Sequence, residues 1–237
     1  MSAKILKTIF LVVVFLFAFM LNQAKASTVI LPLDFEISGA DMPNGSTPWI
    51  TATFIDVSPD NVELTMSASN LAGVEYINKW YFNSLVDTSG LTFTSVDISA
   101  ISAPTITLGS NTFQADGDGK FDIYFQFDTA NGAGRFTSGE TISYNIEGTG
   151  ITASTFNTQS STGGGAGIYE SAAQISGITV SAPNTDCNPT VDPSGYPDCG
   201  SGWVANTTVV PEPVSSTLFI VGGATLGFRR LRKRFKK

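Results

Sequence analysis

From Phe121 to Asp128 the chain reads Phe-Asp-Ile-Tyr-Phe-Gln-Phe-Asp, an unbroken apolar–polar alternation that a helix cannot accommodate. Successive side chains of a strand point to opposite faces. Phe121, Ile123, Phe125 and Phe127 are therefore expected on one buried face. Val62, Leu64, Met66 and Ala68 repeat the pattern between Val62 and Ser69, and Ile142, Tyr144 and Ile146 repeat it again. Further strands are expected over Val29–Ile37, Pro48–Val57, Tyr76–Phe82, Leu91–Ile98, Thr105–Leu108, Ile151–Phe156 and Ala173–Val180. No segment between Ser27 and Val209 carries a 3.6-residue period, and no internal repeat suggests a solenoid or propeller. Short strands at roughly ten-residue spacing with Gly, Pro and Asn turns predict an all-β fold, a β-sandwich or jelly roll.

Both ends break this pattern. Lys4 and Lys7 precede an apolar run from Ile9 to Leu21, and Ala24-Lys25-Ala26 places small residues around a bulky one, the three-part layout of a secretory signal peptide. Cleavage is expected between Ala26 and Ser27, by the general secretory route, since no twin arginine precedes the run. An uncleaved signal anchor is the alternative. At the other end Val210-Pro211-Glu212-Pro213 leads into fifteen mostly apolar residues, Val214 to Phe228, and then into a basic tail that opens with Arg229-Arg230 and ends at Lys237. As a helix those fifteen residues would reach roughly 22 Å, less than the roughly 30 Å hydrocarbon core. Arginine stems that bury while lifting their charge to the interface extend such a span. The basic cluster fixes the C-terminus on the cytoplasmic side.

A Pro-Glu-Pro box, an apolar span and a basic end in that order resemble the PEP-CTERM sorting signal, whose domain also carries the label of an ice-binding protein C-terminal domain. The resemblance implies an exported protein of the cell envelope, held in the inner membrane. A membrane enzyme, exosortase, would recognise Pro211, Glu212 and Pro213, cut the chain and pass the ectodomain to the surface or the extracellular matrix. Pro48-Trp49-Ile50-Thr51-Ala52-Thr53-Phe54, Lys79-Trp80-Tyr81-Phe82-Asn83, Phe113 to Gly119 and Ser201-Gly202-Trp203 are similar to segments of other exosortase substrates, and bring no catalytic residues with them. The expected organisation is a signal helix over 1–26, a β-sandwich ectodomain over 27–205, a linker with the Pro-Glu-Pro box over 206–213, and a transmembrane helix with its tail over 214–237.

Charge then has to be read by compartment. Between Ser27 and Val209 only Lys79, Lys120 and Arg135 oppose nineteen acidic residues, a net charge of −16 against −7 for the whole chain. Such a body does not bind nucleic acid or anionic polysaccharide through bulk electrostatics. Cys187 and Cys199 are the only cysteines, and an even count in an exported chain predicts a disulfide. Its loop of about thirteen residues would be worth roughly 3 kcal/mol in the chain-entropy model. The absence of histidine removes Ser-His-Asp and Cys-His catalysis and most transition-metal centres, and leaves a two-cysteine metal site as a weak alternative to the disulfide.

Carboxylate chemistry remains. Paired acids could cleave glycosides, but nineteen acids on strand faces and turns read first as a solvated surface. Asp116-Gly117-Asp118-Gly119-Lys120-Phe121-Asp122 has the carboxylate spacing of a calcium loop at Asp116, Asp118 and Asp122. Gln114 and Phe125 stand where two further acids are needed in the EF-hand register, so a hairpin turn between Ala115 and Phe121 is the first reading and a different type of calcium site the second. Gly163 to Gly167 lacks the Lys-Ser/Thr of a phosphate loop and reads as a flexible surface loop. Trp49, Trp80, Tyr81 and Trp203 are what a sugar-binding platform would use, although core packing accounts for Trp49 and Trp80. The resulting expectation is a non-enzymatic structural or interaction component of the cell surface or exopolysaccharide matrix. The alternatives are a carbohydrate-binding adhesin and, further off, a glycoside hydrolase or lyase.

Overall fold

The computed structural model describes residues 26–39, 42–130, 132–165, 167–178 and 200–206. By its contacts the chain divides into two units, Met1–Thr207 and Thr208–Lys237, and every described residue lies in the first. Most of the expected signal segment, including Ala24, lies outside the described residues, as do Cys187, Cys199, Pro211, Glu212, Pro213, Arg229, Arg230 and the expected span. Among the described residues no helix is long and apolar enough to cross a membrane.

Twelve strands make up the described fold: β1 (Thr28–Leu33), β2 (Phe35–Gly39), β3 (Ile50–Ser58), β4 (Asn61–Ser67), β5 (Tyr76–Phe82), β6 (Thr92–Asp97), β7 (Thr105–Ala115), β8 (Asp118–Gln126), β9 (Phe136–Thr137), β10 (Thr141–Glu147), β11 (Ser171–Ser176) and β12 (Ser201–Ala205). All pairings are antiparallel. One sheet has the order β1-β3-β4-β10-β6, and the other β2-β12-β11-β5-β8-β7 with β9 pairing β5. The inward positions of both sheets enter one hydrophobic cluster. Phe54 of β3 meets Phe82 of β5 edge to face at 5.5 Å, and Phe93 of β6 and Tyr144 of β10 both meet Phe125 of β8 edge to face, at 5.7 and 5.6 Å. Edge-to-face pairs put the positive rim of one ring on the negative face of the next.

The alternating segments behave as the two-residue period requires. Val62, Leu64, Met66 and Ala68 are all buried, as are Ile142, Tyr144 and Ile146. Burial also raises the Tyr144 hydroxyl to about 12. β8 departs from expectation at one residue. Ile123, Phe125 and Phe127 join the common core, but Phe121 belongs to a second cluster with Tyr81 and Trp203. The β7–β8 ladder explains the change, because it jumps from Leu108↔Ile123 to Phe113↔Phe121. Four residues of β7 thus stand opposite Asp122 alone. Its carboxylate fills the gap, accepting from the backbone N–H of Asn111 at 2.7 Å and of Ser84 at 3.1 Å.

Three other expectations are corrected. Val29–Ile37 is two strands in different sheets, divided at Asp34, whose N–H already donates to Ala205 O of β12. Ile151–Phe156 is not a strand: Ala153–Phe156 forms a single 3-10 turn, in which the Thr152 N–H donates to Thr155 Oγ1 at 3.0 Å and Phe156 stacks on Phe54 at 4.5 Å. The expected flexible loop is docked at Gly165 and Gly167. Gly165 N donates to Gly117 O at 2.9 Å, Gly167 N to Asp118 Oδ1 at 3.2 Å, and a Cβ on Gly165 would stand 1.6 Å from Asp118 Oδ1. Only a residue without a side chain approaches so closely.

Candidate interaction surface

The outward positions of the five-stranded sheet form rows across β3, β4 and β10. Thr51, Ser67 and Thr141 are in register, then Thr53, Thr65 and Ser143, then Ile55, Glu63 and Asn145. These positions alternate with the buried core residues, and all are half-buried or exposed. Neighbouring strands lie about 4.8 Å apart and same-face residues along a strand roughly 6.8 Å apart. The sequence therefore lays hydroxyl and amide groups on a two-dimensional grid. Thr141 Oγ1 reaches Ser67 Oγ at 3.4 Å and Thr65 Oγ1 reaches Glu63 Oε1 at 3.5 Å, both long, so these groups keep capacity for an outside partner. At the β1–β3 margin the grid turns apolar, with Ile30, Ile55 and Val57 exposed. No site motif in the sequence marks this grid. Its signal was present as Thr or Ser at the polar positions of three alternating strands.

The outer face of the other sheet is aromatic. Tyr81 stacks on Trp203 at 5.7 Å and on Phe121 at 5.5 Å, and packs against Tyr124 at 5.0 Å. The Lys79 ammonium lies 5.8 Å from the Trp203 ring. Burial first, and then the neighbouring Tyr124, push the Tyr81 hydroxyl well above its ordinary value. Trp49, Trp80, Tyr81 and Trp203 retain only 4%, 0%, 5% and 8% of their exposure. A sugar platform needs ring faces turned to solvent, and these four rings are buried. This face is a second small core.

The candidate calcium ligands Asp116, Asp118 and Asp122 are placed apart in role, and the hairpin turn of the first reading is present. Asp116 and Gly117 form the two-residue turn between β7 and β8, with φ of 49° and 89°, and Ala115 pairs with Asp118 across it. Two positive φ values are what a tight hairpin with the right twist demands, and Asp-Gly supplies them. Asp118 is tied to Gly167 and Asp122 to the β7 gap, as described above. Among the described residues no three Asp, Glu, His or Cys side chains are arranged to hold a metal ion.

Several acids are structural and not a solvated face. Glu75 is buried and accepts from Asn44 N at 2.6 Å, Asn44 Nδ2 at 3.1 Å and Ala72 N at 2.8 Å, pinning two loops together. Glu170 is buried beside Asn206, whose Nδ2 donates to Glu170 Oε2 at 2.7 Å and whose Oδ1 accepts from Ser171 N at 2.9 Å. Desolvation raises the Glu170 carboxyl above the ordinary glutamate value, and the Asn206 hydrogen bond only partly opposes it. The folded state then binds more protons than the unfolded state over that interval, so Glu170 makes stability fall as pH rises through it. Glu170→Gln keeps an acceptor for Asn206 and removes the charge. Thermal melts from pH 4 to 8 should show a flatter profile for the variant and a higher midpoint than wild type at neutral pH, and an unchanged slope would refute this account.

Two clefts open at loop ends. One, of about 440 Å³, lies among Ser58–Asn61, Gly90, Thr92 and Glu147–Thr149, and the other, of about 410 Å³, among Ser84–Thr88, Gly109–Asn111 and Asp122. Both are polar and neither carries the aromatic residues named above. No protein-family model, curated protein or solved structure matches the chain.

Proposed function

We propose that this chain is an exported cell-envelope protein with a β-sandwich ectodomain, a non-enzymatic interaction component of the cell surface or exopolysaccharide matrix. Delivery rests on the two ends: the leader before Ser27, and the order Pro-Glu-Pro, apolar span and basic tail, which resembles a PEP-CTERM signal and makes exosortase and the inner membrane its processing partners. The interaction rests on the grid of Thr51, Ser67 and Thr141 beside Thr53, Thr65 and Ser143. A flat array of hydroxyls next to exposed Ile30, Ile55 and Val57 matches a neutral polysaccharide, which offers hydroxyls and C–H faces at comparable spacing. The acidic ectodomain turns this face away from anionic polymers.

Thr53→Val, Thr65→Val and Ser143→Ala together remove three hydroxyls and leave the strand shape intact. At about 0.5–1.5 kcal/mol per neutral hydrogen bond, binding to a neutral matrix polysaccharide should weaken roughly tenfold or more, read by affinity electrophoresis with the melting temperature as a fold control. Equal retention of a folded triple variant would sink the assignment of the face. The adhesin reading survives only in this hydroxyl-based form, because the aromatic residues that would serve it otherwise are buried.

A further inference from the structure

The backbone nitrogen of Ser27 donates to Asp56 Oδ2 at 2.9 Å, and Asp56 N returns a hydrogen bond to Ser27 O at 3.0 Å. The other carboxylate oxygen, Oδ1, accepts from Ala153 N at 2.5 Å, so Asp56 is held in place from the side of the 3-10 turn. Ala26 is exposed, whereas Thr28 begins β1 and pairs with Ile55. The bond expected to be cut by the leader peptidase thus joins an exposed residue to the first residue gripped by the fold.

We infer that Asp56 is the binding site for the α-ammonium group that leader removal creates on Ser27; this rests on the reading of Ala26–Ser27 as the cleavage bond. Hydrolysis adds water across that amide. The hydroxyl goes to the Ala26 carbonyl carbon, which leaves with the leader as a carboxylate, and the nitrogen stays on Ser27 and takes up protons to become an ammonium. The nitrogen need not move. A neutral donor with one hydrogen becomes a cation with three, already at hydrogen-bond distance from a carboxylate, and a charge-assisted bond replaces a neutral one. Basic partners are scarce in the ectodomain. Of Lys79, Lys120 and Arg135, the first lies at the Trp203 ring and the last lies over the Tyr76 ring and donates to Thr129 O. Maturation would therefore fasten β1, an edge strand of the five-stranded sheet, at the moment the leader is lost.

The test uses the full chain exported with its own leader and purified from the envelope. A second version carries Gly-Gln inserted between Ala26 and Ser27, which keeps the residues before the cut and leaves Ser27 with an amide nitrogen. Asp56→Asn is made in both; it keeps an oxygen to accept from Ala153 N. We expect N-terminal sequencing to give Ser27 in the native version, and Asp56→Asn to lower its melting temperature by about 2–4 °C more than in the extended version, the shift that roughly 1 kcal/mol produces at this size. The Ser27 α-amino group should also titrate above the ordinary range of about 7.7–8.0 by NMR. Equal losses in both versions, or an unshifted α-amino titration, would overturn the docking while leaving the leader reading intact. A native start at another residue would overturn both.

Discussion

Replacing Trp80 by alanine should reduce the unfolding free energy by about 3–5 kcal/mol and lower the melting temperature by on the order of 10 °C. Trp80 is fully buried between the sheets, stacked on Phe82 at 5.7 Å and tilted against Phe136 at 6.5 Å. Its indole N–H donates to Ser171 Oγ at 2.8 Å, and that hydroxyl donates to Tyr81 O at 2.9 Å. Truncation therefore opens a cavity and also removes one link of a buried polar chain, two costs that add. Trp80→Phe separates them, since it restores most of the apolar volume without the N–H, and its loss should be well under half that of the alanine variant. Trp203→Ala, on the outer aromatic face, should fall between them, because Trp203 belongs to the smaller second cluster and its neighbour Lys79 can be resolvated. Denaturant melts followed by far-UV circular dichroism give the ranking. An alanine variant at position 80 within about 1 kcal/mol of wild type would contradict a core built around this residue.

Trp80 also marks how far the sequence could be read. The burial of Val62, Leu64, Met66, Ile123, Phe125 and Ile146 follows from local alternation, because a strand exposes its period to neighbours only two residues away, whereas β5 slips register between Ile77 and Lys79 and buries Trp80, Tyr81 and Phe82 in succession. Features set by distant partners were not visible in that way. The chain leaves one sheet for the other at Asp34 because Ala205, far along the sequence, offers the next carbonyl. β12 is five residues with a glycine in it, and becomes a strand through pairing with β2 and β11. Phe121 keeps the alternation of its segment yet enters the second cluster, owing to the extra β7 residues opposite Asp122. The carboxylates were hardest to read. Asp122, Glu75 and Glu170 resemble any surface acid until the amides they satisfy are brought beside them. The hydroxyl grid was half legible: each strand shows its Thr and Ser positions, while their alignment into rows is fixed by the inter-strand register.

Changing Pro211, Glu212 and Pro213 to alanine should abolish the processed surface form and leave the uncut chain in the inner membrane. The apolar core described above is drawn from residues within 29–205, so the ectodomain should fold as before, and only its release is affected. Two physical properties make the box suited to recognition. Each proline biases the residue before it towards an extended backbone, so at Val210 and Glu212 the sequence would favour an extended stretch for a protease to read, and Pro213 would suit a helix start immediately after. Alanine removes all three constraints and favours helix instead, which would draw the cleavage segment into the span. The basic tail acts differently. As a span, the fifteen mostly apolar residues from Val214 to Phe228 would fall short of the hydrocarbon thickness, and Arg229 and Arg230 would serve both to lengthen it and to stop it. Glutamine at the basic positions from Arg229 onward should therefore loosen membrane retention before any cut is made, a phenotype distinct from uncut accumulation. Fractionation of a host that has an exosortase, with the C-terminus of the mature form read by mass spectrometry, distinguishes the two. Recovery of wild-type surface protein still ending at Lys237 would refute processing at the box, and would leave an anchored envelope protein as the remaining account of this tail.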